Sequence, residues 1–138
     1  MSRDASALLR AARDLLERPD PMTAGIWSRA TALLTRQALE AALDDLWRAL
    51  GLELCSMRAQ LICLPSYLHD DVELADQVSY SWAGLSRACH QHPYELAPTS
   101  SELLAWIAAV ERLVQRGRDD AERTKPSDRE QKSRRVEE

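Results

Sequence analysis

Between the proline pair of "ERPDPMTAG" and Gly51 lies the feature that most limits the fold. Residues 26–50 contain neither proline nor glycine. Along them apolar side chains fall at helical spacing, at Ile26, Ala30 and Leu33 and then at Leu39, Leu43, Leu46 and Leu50. That period belongs to a helix and cannot lie on a strand, where successive side chains alternate between faces. Thr23 is the expected N-cap, and Gly51 supplies the C-terminal stop. A long helix with one apolar stripe needs partners to cover it.

The rest of the chain offers only helices. "ASALLRAARDLLE" predicts a short leading helix over Ala5–Glu17, broken by Pro19 and Pro21. "LCSMRAQLICLPSYL" predicts a third helix with Met57, Leu61 and Leu64 inward, bent or ended by Pro65. A fourth begins near Asp70 and Asp71, acids suited to the positive end of a helix dipole. Its stripe is Ala75, Val78, Trp82, Leu85 and Cys89, and Pro93 ends it. Thr99 or Ser100 with Glu102 predicts a capped start for a fifth helix. That helix places Leu103, Ile107, Val110 and Val114 on one face and closes at Gly117.

Composition agrees. The 138 residues are 45% hydrophobic, with no phenylalanine and abundant Ala, Leu, Arg and Glu, an inventory of good helix formers. The length suits one domain. Lys125 and Lys132 are the only lysines, and this preference for arginine matches a GC-rich bacterial coding sequence. The expected architecture is an all-α bundle of four principal helices plus a short N-terminal helix, over residues 1–117. Residues 118–138 carry 14 charges in 21 positions and one valine, Val136. Such a tail cannot bury enough surface to offset its ordering entropy, so it is expected to be disordered or loosely helical.

Charge and cysteine usage narrow the function classes. Net charge is −4, and the whole deficit lies in residues 1–117, so a general basic surface for nucleic acid is not suggested. Cys55, Cys63 and Cys89 are an odd number without a CxxC pair and read as reduced thiols. No stretch approaches the roughly 20 apolar residues of a membrane span, and a cytoplasmic location with no membrane contact is expected. No cofactor motif is present.

The one crowded polar segment is "SRACHQHPYE", Ser86 to Glu95, at the expected end of the fourth helix. Cys89, His90 and His92 fall short of the four ligands of structural zinc, and the other histidine, His69, is distant in sequence. Cys89 lies on the apolar stripe, which favours packing over nucleophilic use. A histidine at a helix C-terminus can simply satisfy the last carbonyls. Arg87 with His90 or His92 instead pairs a permanent cation with an imidazole that titrates near neutrality. Those groups suffice to hold a phosphate and to move the proton of a 2′-hydroxyl or a leaving group.

"RACHQHPY" fits R-x4-H-x-Y through Arg87, His92 and Tyr94. In this, and in its order of helices across residues 23–116, the chain resembles the HEPN domains, all-α bundles that include ribonuclease toxins. The resemblance implies a metal-independent RNA endonuclease, the toxin of a toxin–antitoxin or defence system, with Arg87 and His92 catalytic. His90, Tyr94 and Ser86 would support them. It implies an RNA substrate, a homodimer whose two motifs face one another, and a nucleotidyltransferase-type antitoxin or other defence protein as partner. The position after the arginine, often Asn or Asp in such families, is Ala88. A non-catalytic interaction or dimerisation module of the same fold is therefore the alternative.

Other conspicuous residues have ordinary readings. Trp47, Trp82 and Trp106 suit the core, with Trp27 open. Glu40, Asp44 and Asp45 read as a solvated helix face, and "LHDDVE" as a capped helix start.

Overall fold

A computed structural model describes residues 4–18, 26–54, 56–90 and 96–125, together with Val136. It contains α1 (Ala5–Glu17), α2 (Trp27–Ala49), α3 (Met57–Tyr67), α4 (Val72–Cys89) and α5 (Ser100–Thr124). No strand occurs among the described residues. Among them, too, no helix is long and apolar enough to cross a membrane. The fold class is an all-helical bundle.

Local chemistry accounts for most helix ends. The Asp4 carboxylate accepts from the Ser6 amide at 3.0 Å, the Ser56 hydroxyl from Ala59 at 3.1 Å, and the Asp71 carboxylate from Leu74 at 3.2 Å. At α5 the Thr99 hydroxyl accepts from the Glu102 amide and donates to the Glu102 carboxylate, both at 3.2 Å. Each such cap contributes about 1 kcal/mol. Helix α2 closes on Gly51 at φ 72°. The Gly51 and Leu52 amides donate back to the Arg48 and Trp47 carbonyls, both at 3.0 Å, the paired bonds of a Schellman ending. Pro65 does not end α3, which runs two residues further, to Tyr67.

Helix α2 lies at the centre and touches all four others. Its pairing with α1 is the most extensive in the molecule, so the leading helix is a full member of the bundle. Small buried residues make this possible, with Ala5 and Ala12 on α1 and Ala38, Ala41 and Ala42 on α2. Helix α3, whose backbone packs mainly beside α2 and α4, is the peripheral element. Cross-helix contacts set the directions. Arg13 meets Glu111 (Nε to Oε1, 2.8 Å) and Arg118 meets Ser6 (2.6 Å), so α1 and α5 are antiparallel. Arg116 meets Asp70 at 2.8 Å and Gly84 meets Trp106, so α4 and α5 are antiparallel as well.

The core is built on Leu39, Leu43, Leu64, Leu74, Val78, Leu85, Leu103, Ile107 and Val110, all essentially inaccessible. Burying one such side chain is worth about 1.5–3 kcal/mol. The first half of α2 differs from expectation. Ile26 and Leu33 are 60% and 48% exposed, and the inward positions are Ser28, Thr31, Ala32 and Thr35. Leu33 stands six residues before the inaccessible Leu39, which on a helix is about 120° round the axis. The buried hydroxyls of Thr31 and Thr35 donate to the carbonyls four residues back, each at 2.7 Å, so this small-residue face carries no unpaired threonine.

The end of α5 is a second correction. The helix does not close at Gly117 but continues to Thr124, with Lys125 as C-cap. Polar partners from elsewhere hold the extra turns. The Tyr67 hydroxyl donates to Asp120, which also accepts from Arg116 Nε at 2.9 Å and from Arg123. The Arg116 guanidinium lies over the Tyr67 ring, 5.6 Å from its centroid, and Tyr67 meets Trp47 edge-on at 6.1 Å. Burial raises the Tyr67 phenol above its ordinary 10.0, opposed in part by the charges of Arg116 and Arg123. The hydrogen bond from Arg116 holds Asp70 below the usual carboxylate range.

Candidate functional site

The last turn of α4, the first turn of α2 and the entry to α5 border a half-open cavity of about 260 Å³. Arg87, Ala88 and His90 line it from α4 and its C-cap, Arg29 from α2, and Glu102 and Trp106 from α5. Leu96, Ala97, Pro98 and Gly84 complete the wall. The polar helix terminus picked out from the sequence is therefore one side of a real concavity.

The placement follows from local rules. Arg87 sits in the last turn of α4, where a cation is favoured by the helix dipole. Cys89 is the last helical residue, and His90 leaves the α region at φ −85°, ψ 116°. The His90 amide still donates to the Ser86 and Arg87 carbonyls, both at 3.2 Å, which holds its backbone against the last turn of α4. Arg87 and His90 are exposed, whereas Arg29 is half-buried. Trp106, at 6% exposure, forms the apolar floor. Ser86 does not line the cavity; its Oγ is buried and has no hydrogen-bond partner among the described residues.

Of the residues singled out from the sequence, Arg87 and His90 are thus brought together. His92 and Tyr94 lie outside the described residues, as do Thr23, Pro93 and Cys55. None of the ion pairs among the described residues involves Arg29, Arg87 or His90. Glu102, the one carboxylate on the wall among the described residues, is engaged with Thr99. Among the described residues the cavity wall therefore carries two arginines against one acid, within a chain of net charge −4.

Arg29, Glu102 and Trp106 were not legible as site residues. They are 58, 15 and 19 positions from Arg87 in sequence, and no motif links them to it. Glu102 carried a signal for helix capping and Trp106 one for core packing, and neither pointed to a site.

The remaining candidates have structural partners. Glu40 pairs with Arg36 at 3.4 Å, Asp45 with Arg48 at 3.3 Å, and Asp44 accepts from Gln60 at 3.0 Å. Trp47 and Trp106 are core residues, and half-buried Trp82 lies under the Arg36 guanidinium at 4.9 Å. Half-buried Trp27 packs against the same core. Cys63 and Cys89 are free and half-buried. Among the described residues no group of three or more His, Cys, Asp or Glu side chains could hold a metal ion.

Compared with known proteins, the chain matches no family model, no curated sequence and no solved structure.

Proposed function

We propose that this protein is a metal-independent RNA endonuclease of HEPN type, the toxin of a toxin–antitoxin or defence system, acting as a homodimer. The observation that carries the reading is the shared cavity of Arg87 and His90 at the end of α4. A guanidinium there holds the scissile phosphate and offsets the charge that develops on it. An imidazole in reach takes the proton of the 2′-hydroxyl as that oxygen attacks phosphorus, and returns a proton to the departing 5′-oxygen. The products are a 2′,3′-cyclic phosphate and a free 5′-hydroxyl. His92 is the catalytic imidazole in this reading, with His90 beside Arg87 as the supporting one. Tyr94 is the group a nucleotidyltransferase-type antitoxin would modify.

Arg87→Ala and His92→Ala each abolish cleavage of RNA in EDTA while the melting temperature stays near that of the wild type. A general acid/base contributes about 10²–10⁴-fold in rate, whereas a capping histidine contributes about 0.3–2 kcal/mol of stability. Variants that cleave like wild type but melt lower would reduce the cluster to a helix cap.

A second reading has its own observation. Ala88 lines the cavity where such families often place a polar residue, and a methyl group can neither bind phosphate nor orient an imidazole. This favours a non-catalytic interaction module, for which wild-type protein would bind a partner yet leave RNA intact.

A further inference from the structure

We propose that Arg29 is a second phosphate-binding residue of the cavity, so that Arg29 and Arg87 grip one phosphate group between α2 and α4. Nothing in the R-x4-H-x-Y pattern points to Arg29, which enters the cavity only because α2 and α4 meet there. The inference deepens the ribonuclease reading and rests on it only for the source of the phosphate.

Three observations carry it. Arg29 and Arg87 line the same cavity, one half-buried and one exposed, and neither has a carboxylate partner within 4 Å among the described residues. Two arginines on the wall of one concavity bring like charges to it, and an anion between them converts their repulsion into two charge-assisted contacts. Arg29 also sits in the first turn of α2, which holds no acid and whose N-cap residue, Ile26, makes no side-chain cap. The helix dipole there adds to the guanidinium's charge instead of offsetting it.

The dimensions select the ligand. A cavity of about 260 Å³ is smaller than the usual range for whole small-molecule ligands, roughly 300–1,000 Å³. It suits a phosphate with part of its sugar, the rest of the ligand lying outside. The buried Trp106 floor offers an apolar surface to that sugar or to a neighbouring base. Glu102, on the same wall and turned to Thr99, stays within the capping pair, which limits its repulsion of an incoming anion. The shared ligand chemistry is a phosphate oxyanion, supplied either by an RNA backbone or by a free phosphate.

The test separates binding from cleavage. A fluorescent single-stranded RNA with 2′-O-methyl groups lacks the attacking hydroxyl and reports binding alone. Its affinity is measured against salt concentration for the full chain, for Arg29→Gln, Arg29→Lys and Arg87→Gln, and for Arg58→Gln on the exposed face of α3 as control. Inorganic phosphate is titrated in parallel.

Arg29→Gln should weaken RNA binding about tenfold and lower the magnitude of the salt slope by about 0.7, the share of one phosphate contact. Arg29→Lys should keep the slope but lose affinity, because an ammonium lacks the bidentate fork. Arg58→Gln should change neither. Should inorganic phosphate bind in an Arg29-dependent way while RNA does not, the anion site stands with a small phosphate ligand, and the ribonuclease reading falls. Should Arg29→Gln match wild type in affinity and slope for both probes, or should wild type bind neither, the proposal is overturned. RNA cleavage by Arg29→Gln at wild-type KM and affinity would overturn it too, and would leave the ribonuclease reading intact.

Discussion

The indole of Trp106 lies directly against the bare backbone of Gly84, so closely that a methyl group on Gly84 would come within 2.7 Å of the indole Cε2. The contact sets the separation of α4 and α5 at the wall of the candidate site, since both residues line its cavity. Helix propensity alone would favour alanine at this position by about 1 kcal/mol. Tertiary packing reverses that preference, because the indole is buried and has little room to retreat.

Gly84→Ala therefore lowers stability by about 1–3 kcal/mol, the usual cost of overpacking. Urea unfolding checks this. A variant more stable than wild type would show that the indole yields easily.

Truncation after Gly117 removes Asp120, the shared acceptor of Tyr67, Arg116 and Arg123, and also removes Arg118, the donor to Ser6. Loss of those partners costs about 1–3 kcal/mol through groups left unpaired. A chain ending at Lys125 keeps every one of these contacts and should stay within about 0.5 kcal/mol of the full chain. Comparing the two melting curves tests whether the last turns of α5 are docked. Equal stability of the two truncations would show that they are not.

Stability should depend on pH through two groups at that same end. Asp70 has a depressed folded-state pKa, so its contribution is present above the ordinary value of 3.8 and is lost as pH falls through the lowered one. Asp70→Asn should flatten the acid limb of a melting-temperature profile. The raised Tyr67 phenol acts in the opposite range. Above its ordinary value of 10.0 the unfolded chain ionises first, so stability falls with rising pH there. Tyr67→Phe should remove that alkaline decline. Profiles for both variants that run parallel to wild type would contradict these assignments.

Self-association is expected on the outer face formed by α4 and α5. Tyr80 on α4, 71% exposed, and Leu104 on α5, 40% exposed, are apolar side chains that those helices leave in solvent. Sedimentation at micromolar concentration should report a dimer, and Tyr80→Glu should shift it toward monomer by placing a charge on that face. A wild-type monomer under the same conditions would remove the homodimer from the proposed function.

What the sequence determined by itself is local. The existence and order of the helices, the caps at Asp71 and Thr99 and the stop at Gly51 all depend on groups within about one turn of each other. The stripes through Leu39, Leu43 and Leu46 and through Leu103, Ile107 and Val110 are legible for the same reason. So was the polar turn that carries Arg87 and His90. Tertiary structure alone decided which face of α2 turns inward before Thr35, because threonine hydroxyls are tolerated in a core once they bond their own backbone. It also carried α5 past Gly117, since a charged segment becomes an ordered helix when Tyr67 and Ser6 from other elements supply its partners. It made α1 a principal helix and α3 a peripheral one, a matter of which small-residue faces can approach closely. And it brought Arg29 to Arg87 across 58 positions, a convergence that no spacing rule encodes, because helix period relates residues on one helix and not on two.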